Sequence, residues 1–483
     1  TPADAGRFHE ASVDLAPFAG QRVELVLSSF LLDGAPAGAA FPFWAEPVLL
    51  AQPAEPPPNI LVLLIDTLRA DRLGCYGWER AVTPHMDRLA REGVRCADVT
   101  SAASWTLPSH ASLFSSLYAS EHGVNERGVR LAREVTTLAE VLRARGYLTA
   151  AFVEGGFVHT RCGFDQGFDT FDSTGQGSPA EVRNVHRTFG KAMGWIEEAG
   201  HPFFAFLHTY ELHSPYDPEP EDRARLVRPY SGPLPSRVHP PDYPWGRGAP
   251  VRISEEDQRY LGDLYDAEIA YTDRAIGEVL RFLDEHDLAR DTLVVLTSDH
   301  GEEFGDHGHF GHGFSLYQEQ LRVPLLMRLP GRFEGGAVLS HPVHGIDLAP
   351  TLVELAGAAI PAEWSGVPIT LVPPQPAREL FVPFRTRREG LATRALRAGQ
   401  LKYIDYPATD RPLDRLGTGP LLFDLSQDPG ETINLWPQQG PASWRESARS
   451  FEAEHPARFE AASEALGNAL EEELDALGYG GGD

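Results

Sequence analysis

The segment Asn59-Ile-Leu-Val-Leu-Leu-Ile-Asp66 is apolar from Ile60 to Ile65 and then ends in an acid. A strand with one wet face alternates apolar and polar residues; one that stays apolar throughout must be covered on both sides. Its length suits a strand and falls far short of the roughly 18 apolar residues that read as a membrane helix. A second run, Thr292-Leu-Val-Val-Leu-Thr-Ser-Asp299-His300-Gly301, makes the same demand. Candidate strands at 59–65, 147–153, 203–208, 292–298 and 324–328 alternate with candidate helices at 84–92, 108–118, 136–145, 180–198, 254–286 and 346–356. That alternation predicts an α/β fold, a mainly parallel central sheet flanked by helices.

Around this centre the pattern changes. Residues 1–52 read as short strands, a partial β-sandwich-like segment, and 53–58 as a proline-rich linker. The α/β domain is expected over 59–372, a small antiparallel subdomain over 373–440, and a C-terminal helix and tail over 441–483, the helix at about 443–477. Residues 217–250 carry many prolines and arginines and read as a long irregular loop. Its Arg223, Arg225, Arg228, Tyr230, Tyr243 and Trp245 are candidates for contact with the organic part of a substrate.

The net charge of −27 argues against a nucleic-acid partner and against an anionic membrane surface. An anionic substrate would have to be attracted locally, by a metal or by a few Arg and His. Only Lys191 and Lys402 are available as lysines. Cys75, Cys96 and Cys162 form neither a disulfide framework nor a zinc ribbon. The chain opens at Thr1 inside a β-rich pattern, as expected of a fragment of a longer chain.

Three remote segments converge chemically. Asp66 and Asp299-His300 each end a buried-strand pattern, the end of an open parallel sheet at which ligands bind. Carboxylate oxygen and imidazole nitrogen are ligands for Zn²⁺ or Mn²⁺. Thr106, in Ser104-Trp-Thr-Leu-Pro-Ser-His110, stands at a helix start, where backbone N–H groups gather anions. The glycine-rich stretch 299–313 adds His300, His307, His309 and His312, of which His307 and His309 read as structural. His213, before Ser-Pro-Tyr216, points to the same cleft, with His208 and Glu211 as further candidates for a second metal or for supporting the first.

These motifs resemble the sulfatase family of the alkaline phosphatase superfamily over roughly residues 59–436. The resemblance rests on Asp66-Thr-Leu-Arg-Ala-Asp-Arg-Leu-Gly-Cys-Tyr-Gly77, Thr106-Leu-Pro-Ser-His110, His122-Gly-Val124 and Gly163-Phe-Asp-Gln-Gly-Phe-Asp169. It continues through His213-Ser-Pro-Tyr216, Ser298-Asp-His-Gly-Glu302, Leu316-Tyr317 with Leu321-Arg-Val-Pro-Leu325, Asp347-Leu-Ala-Pro-Thr351, and Phe423-Asp-Leu with Asp428-Pro-Gly-Glu431. It implies an ester hydrolase of exported type, hence an extracytoplasmic location, with one divalent ion (Mn, Zn or Ca). The substrate it implies is a sulfate or phosphate ester of a small molecule, glycan or lipid.

The departures from the family pattern bear on mechanism. Thr106 stands where the family has the Cys or Ser that becomes formylglycine, so no formylglycine is expected. His110 replaces the family's Arg, Thr67 a second acid, Val153-Glu-Gly-Gly156 the sulfate-clamping Lys and His, and His312 a later Lys. A threonine nucleophile is similar instead to the superfamily's phosphodiesterases, nucleotide pyrophosphatases and phosphoglycerol transferases. The expected metal ligands are Asp66, Thr106, Asp299 and His300; the expected catalytic groups are Thr106, His110, His213 and His312. Asn125, His213 and His312 are expected to bind the ester. The transferred group, sulfate or phosphate (phosphodiester or phosphonate), stays open. So do transfer to an alcohol acceptor and a retired enzyme scaffold that only binds.

Overall fold

The computed structural model describes residues 56–173, 183–200, 202–238, 253–370, 379–385, 392–406, 419–436, 443–463 and 467–477. All belong to one compact unit, Gln52–Asp483. The β-rich reading of residues 1–52 lies outside the described residues.

The central sheet has eight strands: β1 (Asn59–Ile65), β2 (Val94–Cys96), β3 (Leu148–Val153), β4 (Thr170–Ser173), β5 (Phe203–Thr209), β6 (Thr292–Thr297), β7 (Leu325–Arg328) and β8 (Ala337–Leu339), in the order β8-β2-β7-β6-β1-β5-β3-β4. β1 is central and runs parallel to β5 and β6, and only β7 runs against its neighbours. β2, β4 and β8 were not anticipated, because three or four residues of mixed polarity carry no period to read.

The unbroken apolar character of β1 has a direct cause. Ile60, Val62 and Leu64 enter one buried cluster and Leu61, Leu63 and Ile65 another, on opposite faces of the sheet. Burying such a side chain contributes about 1.5–3 kcal/mol. The helices α1 (Pro84–Glu92), α2 (Thr106–Ser115), α3 (Leu138–Ala144), α4 (Val185–Glu198), α5 (Glu255–Glu285) and α6 (Leu348–Leu355) supply the cover. α2, α3 and α6 lie on the first face; α1, α4 and α5 lie on the second.

α2 begins at Thr106, two residues earlier than the pattern suggested, because Pro108 fits the first helical turn rather than preceding it. The single terminal helix expected near 443–477 is two, α7 (Ser443–Glu454) and α8 (Gly467–Ala476). Pro456 cannot continue a helix, and Ala462–Ser463 instead pair with Val129–Arg130.

The antiparallel C-terminal sheet is present as Glu379–Arg385, Ala392–Ala398, Leu401–Asp405 and Leu421–Asp424. Its Val382, Ala395, Ile404 and Phe423 join the core of the first face, and its Phe381, Leu396 and Tyr403 pack with Tyr118 and Ile346.

The loop at 217–238 is partly helical, Pro220–Leu226, and is tied down on α5. Arg228 pairs with Asp263 at 2.7 Å, Arg225 with Asp222 at 3.1 Å, and Tyr230 stacks on Tyr260 at 4.0 Å. Arg223 is engaged with Asp217 and the Ser236 carbonyl. These arginines pair with acids of the loop and of α5. Tyr243 and Trp245 lie outside the described residues.

Candidate active site

The parallel register sets the C-terminal ends of β5, β1 and β6 side by side, Leu64 opposite both His208 and Thr297. Two residues beyond Leu64 and Thr297 stand the acids, Asp66 and Asp299. Past Asp66, Thr67 turns the chain sharply at φ 60°, costly for a β-branched residue by about 1–3 kcal/mol. Its N–H thereby donates to Asp299 Oδ1 at 3.3 Å, and the next one, Leu68, donates to Ser298 Oγ at 2.9 Å. The Asp299 carbonyl is gripped from α2 by the Ser109 hydroxyl at 2.7 Å.

Within this frame Thr106 Oγ1 donates to Asp66 Oδ2 at 3.2 Å and lies 3.3 Å from His300 Nε2. One ligand atom each from Asp66, Asp299 and His300 lies within 4.8 Å of the others. Asp299 Oδ1 accepts the N–H of Thr67 and of His300, whereas Asp299 Oδ2 and Asp66 Oδ1 have no hydrogen-bond partner among the described residues. Burial, then the nearby Asp299 and Glu302, hold the Asp66 carboxyl well above the usual carboxylate range. Two acids buried together with idle oxygens are costly unless a cation sits between them. The donor set, two carboxylates, an imidazole and a hydroxyl, fits a divalent ion.

Histidines surround this group. His300 donates Nδ1–H to the Gly301 carbonyl at 2.9 Å, His213 to that of Ser214 at 2.8 Å and His110 to that of Thr106 at 2.9 Å, while His312 donates to Glu302 at 3.0 Å. The partner of each Nδ1 fixes the orientation of its ring. His312 lies 4.4 Å from the His300 ring and 4.8 Å from that of His213, centre to centre. Thr106, Asp66, Asp299, His300 and His312 thus lie together, with His213 joined to them through His312.

His110 differs in kind. Its ring packs with Phe114, Phe164, Phe206 and His208, and its Nδ1 lies 3.5 Å from Asp299 Oδ2. It braces the first turn of α2 against Asp299, and burial pushes it down so that it stays neutral. The Asn125 amide donates to the Ala119 carbonyl at 2.7 Å and closes the short helix Ala119–His122. Burial also keeps His208 neutral, well below the usual imidazole range, and its Nε2 lies 3.6 Å from Asp66 Oδ2.

At the position of the family's clamp, Glu154 is wholly buried. It takes the N–H of Asn184 and Tyr210 and the hydroxyls of Thr188 and Thr209, and burial lifts it to about 7. It knots the ends of β3 and β5 and offers no positive charge to a ligand.

Two residues that sequence reasoning left without a role organise the loop after β6. Arg69 grips the Glu302 carbonyl at 3.0 Å and Asp306 at 3.2 Å. Glu302 is lifted to about 8 by burial, with Tyr216 and Arg69 pulling down and Asp299 and Glu303 pushing up. The readable signal was the turn glycines Gly305, Gly308 and Gly311, at φ 83°, 98° and 81°, which fold the stretch into a hairpin.

From that hairpin Glu303 and His307, with Glu319 beyond it, also come close enough to hold an ion. Here the donors are already engaged: His307 bonds Glu319 at 2.6 Å and the Glu431 carbonyl at 3.1 Å, and stacks on Tyr317 at 3.6 Å. Glu303 accepts the N–H of His307 and His309. Burial disfavours charge on His307, but Glu319, then Glu303 and Glu431, lift it to about 9. Burial lifts Glu319 to about 7 against the pull of His307. A raised histidine stabilises the fold fully below its ordinary pKa of roughly 6.5, and loses that contribution as pH rises through its folded pKa. His307→Gln should therefore cost up to about 3 kcal/mol near neutrality, with the deficit shrinking as pH passes about 9. Urea denaturation of both proteins from pH 6 to 10 measures it; a pH-independent deficit would leave only the lost stacking on Tyr317.

Comparison with known proteins adds the lineage. Residues 58–358, more than half the chain, match the family model Sulfatase. The chain belongs to the sulfatase family. A second model, N-sulphoglucosamine sulphohydrolase, C-terminal, matches residues 305–448 of this sulfatase. The ulvan-active sulfatase of Formosa agariphila is 28% identical over 421 residues, 78% of this chain and 77% of the relative. Among solved structures, a protein in complex with its substrate D-glucosamine-2-N,6-O-disulfate superposes with a TM-score of 0.67 at 19% identity, covering 82% of this chain and 97% of that one. The phosphonate monoester hydrolase of Agrobacterium radiobacter superposes with 0.63 at 22% identity, covering 82% and 94%. The two structures share the fold. Sulfatases are sulfuric ester hydrolases of the alkaline phosphatase superfamily, and that is the enzyme class of this chain. Among the described residues no helix is long and apolar enough to cross a membrane.

Proposed function

We propose that this sulfatase cleaves esters that carry a single negative charge, with Thr106 as nucleophile. The observation that carries the reading is the Thr106 hydroxyl at 3.2 Å from Asp66 and 3.3 Å from His300, beside carboxylate oxygens with no hydrogen-bond partner among the described residues. An ion held by Asp66, Thr106, Asp299 and His300 would supply the charge that lowers the hydroxyl's pKa and draws in the anion. The hydroxyl hydrogen is directed at Asp66, which leaves the lone pairs of Oγ1 for attack on sulfur or phosphorus. The uncapped start of α2 adds backbone N–H groups beside the developing charge. His213 orients the ester and His312 returns a proton to the departing alcohol. Water then hydrolyses the ester on Thr106.

The charge preference follows from what is missing. Glu154 lies where the family's lysine would stand, and Lys402 is bound to Glu431 at 2.7 Å. With so little fixed positive charge, a sulfate, phosphonate or phosphodiester suits the site better than a doubly charged phosphomonoester. The relatives named for ulvan and for a sulfated glucosamine support a glycan as the organic part, and an extracytoplasmic site of action goes with such substrates. A panel of 4-nitrophenyl sulfate, phenylphosphonate, methyl phosphodiester and phosphomonoester, each with Mn²⁺, Zn²⁺ or Ca²⁺, tests this. Turnover at least tenfold faster on one of the first three than on the phosphomonoester is expected; a preference for the phosphomonoester would sink it.

A further inference from the structure

The hairpin after β6 pairs Glu303 with Gly311 and Phe304 with Phe310. One step along the same register, Glu302 faces His312. Its Oε1 accepts the Nδ1–H of His312 at 3.0 Å, and its Oε2 accepts the Tyr216 hydroxyl at 2.9 Å. Its own carbonyl is held by Arg69 at 3.0 Å, and the side chain is wholly buried. Both carboxyl oxygens are thus committed, one to the imidazole and one to the tyrosine that fixes the carboxyl's rotation. The neighbouring acid, Glu303, turns to the other side and binds the N–H of His307 and His309. Of the two consecutive acids, only Glu302 addresses the site.

A carboxyl that holds Nδ1–H settles which nitrogen of a histidine is left to react and locks the ring against rotation. We propose that Glu302 is a positioning residue for ester cleavage, holding His312 so that Nε2 meets the departing oxygen. In that step the bond from sulfur or phosphorus to the leaving oxygen breaks. The electron pair stays on the oxygen, and the proton on Nε2 moves to it. Glu302 keeps its hydrogen bond to Nδ1–H throughout and exchanges no proton. The inference rests on the proposed role of His312 and goes beyond it in naming what makes that histidine competent.

The test uses the ion-loaded enzyme and substituted-phenyl sulfates and phenylphosphonates, from 4-nitrophenyl to unsubstituted phenyl. A 4-nitrophenolate needs little protonation on departure, whereas phenolate needs much more. His312→Gln and Glu302→Ala are both expected to lose at most about threefold in kcat on the nitrophenyl esters and about 10²-fold or more on the phenyl esters. KM should be nearly unchanged, and Glu302→Gln, whose amide oxygen can still accept Nδ1–H, should recover most of the loss. If Glu302→Ala does not fold, Glu302→Asp, which withdraws the acceptor, is held to the same criterion. A selective loss in His312→Gln with a uniform loss in the Glu302 variant overturns the positioning role alone. A uniform loss in His312→Gln overturns the role of His312 and the inference with it.

Discussion

Thr106→Ala is expected to lower kcat by about 10⁴-fold or more, the scale seen when a covalent nucleophile is removed and only binding and charge stabilisation remain. The substitution takes away one hydroxyl and one methyl. Asp66, Asp299 and His300, within 4.8 Å of one another, still offer ligand atoms for the ion, so metal analysis should find it retained. Thr106→Ser keeps the oxygen and should retain most of the activity, losing only the rotamer restriction that a β-branched side chain supplies. Quenched-flow mass spectrometry of the parent enzyme should place the transient ester on the peptide containing Thr106. Three outcomes would each be decisive against the mechanism: full activity in the alanine variant, an ester on another peptide, or loss of the ion together with the hydroxyl.

Removing the ion is the second large effect. Chelation should abolish turnover and destabilise the fold together, because the ion binds only the folded arrangement; at 100 times its dissociation constant an ion contributes about 2.7 kcal/mol. The pH dependence has a definite sign. Asp66 is held above its usual range by burial and by Asp299, so in the ion-free protein its contribution is present at acid pH and is lost as pH rises above about 4. The ion offsets that loss. The difference in Tm between loaded and chelated protein should therefore widen from pH 5 to pH 8. Asp66→Asn should behave inversely, raising the Tm of the chelated protein at pH 8 while weakening the response to added ion. A variant that responds to ion as the parent does would remove Asp66 from the ligand set.

The parts of this molecule that the sequence announced are those where one physical demand dominates. β1 had to be covered on both faces, and its six apolar residues are divided between two cores. The same burial made Asp66 and Asp299 conspicuous, since an acid closing such a run has few structural reasons to be there. Thr106 was legible because Pro108 marks a helix start. Other features depend on pairings no local pattern contains. Asn125 looked available until its amide was seen closing a helix end. The pairing of Arg228 and Tyr230 with acids of α5 could not be read from the loop's own sequence. Glu302 was quoted in a motif without a role, because its meaning lies in a hairpin register that joins it to a residue ten positions on.

The contact of His307 with the Glu431 carbonyl, and of the Gln318 N–H with the Glu431 carboxylate, reaches across a boundary that composition had drawn at residue 372. The stretch that carries His312 is moored on the far shore of that line. Trimming this sulfatase to its α/β half would cast off one mooring of that loop, the one supplied by Glu431 beyond the four-stranded sheet. Variation at Glu431 is thus a route by which that loop could be shifted without altering any residue that meets the ester.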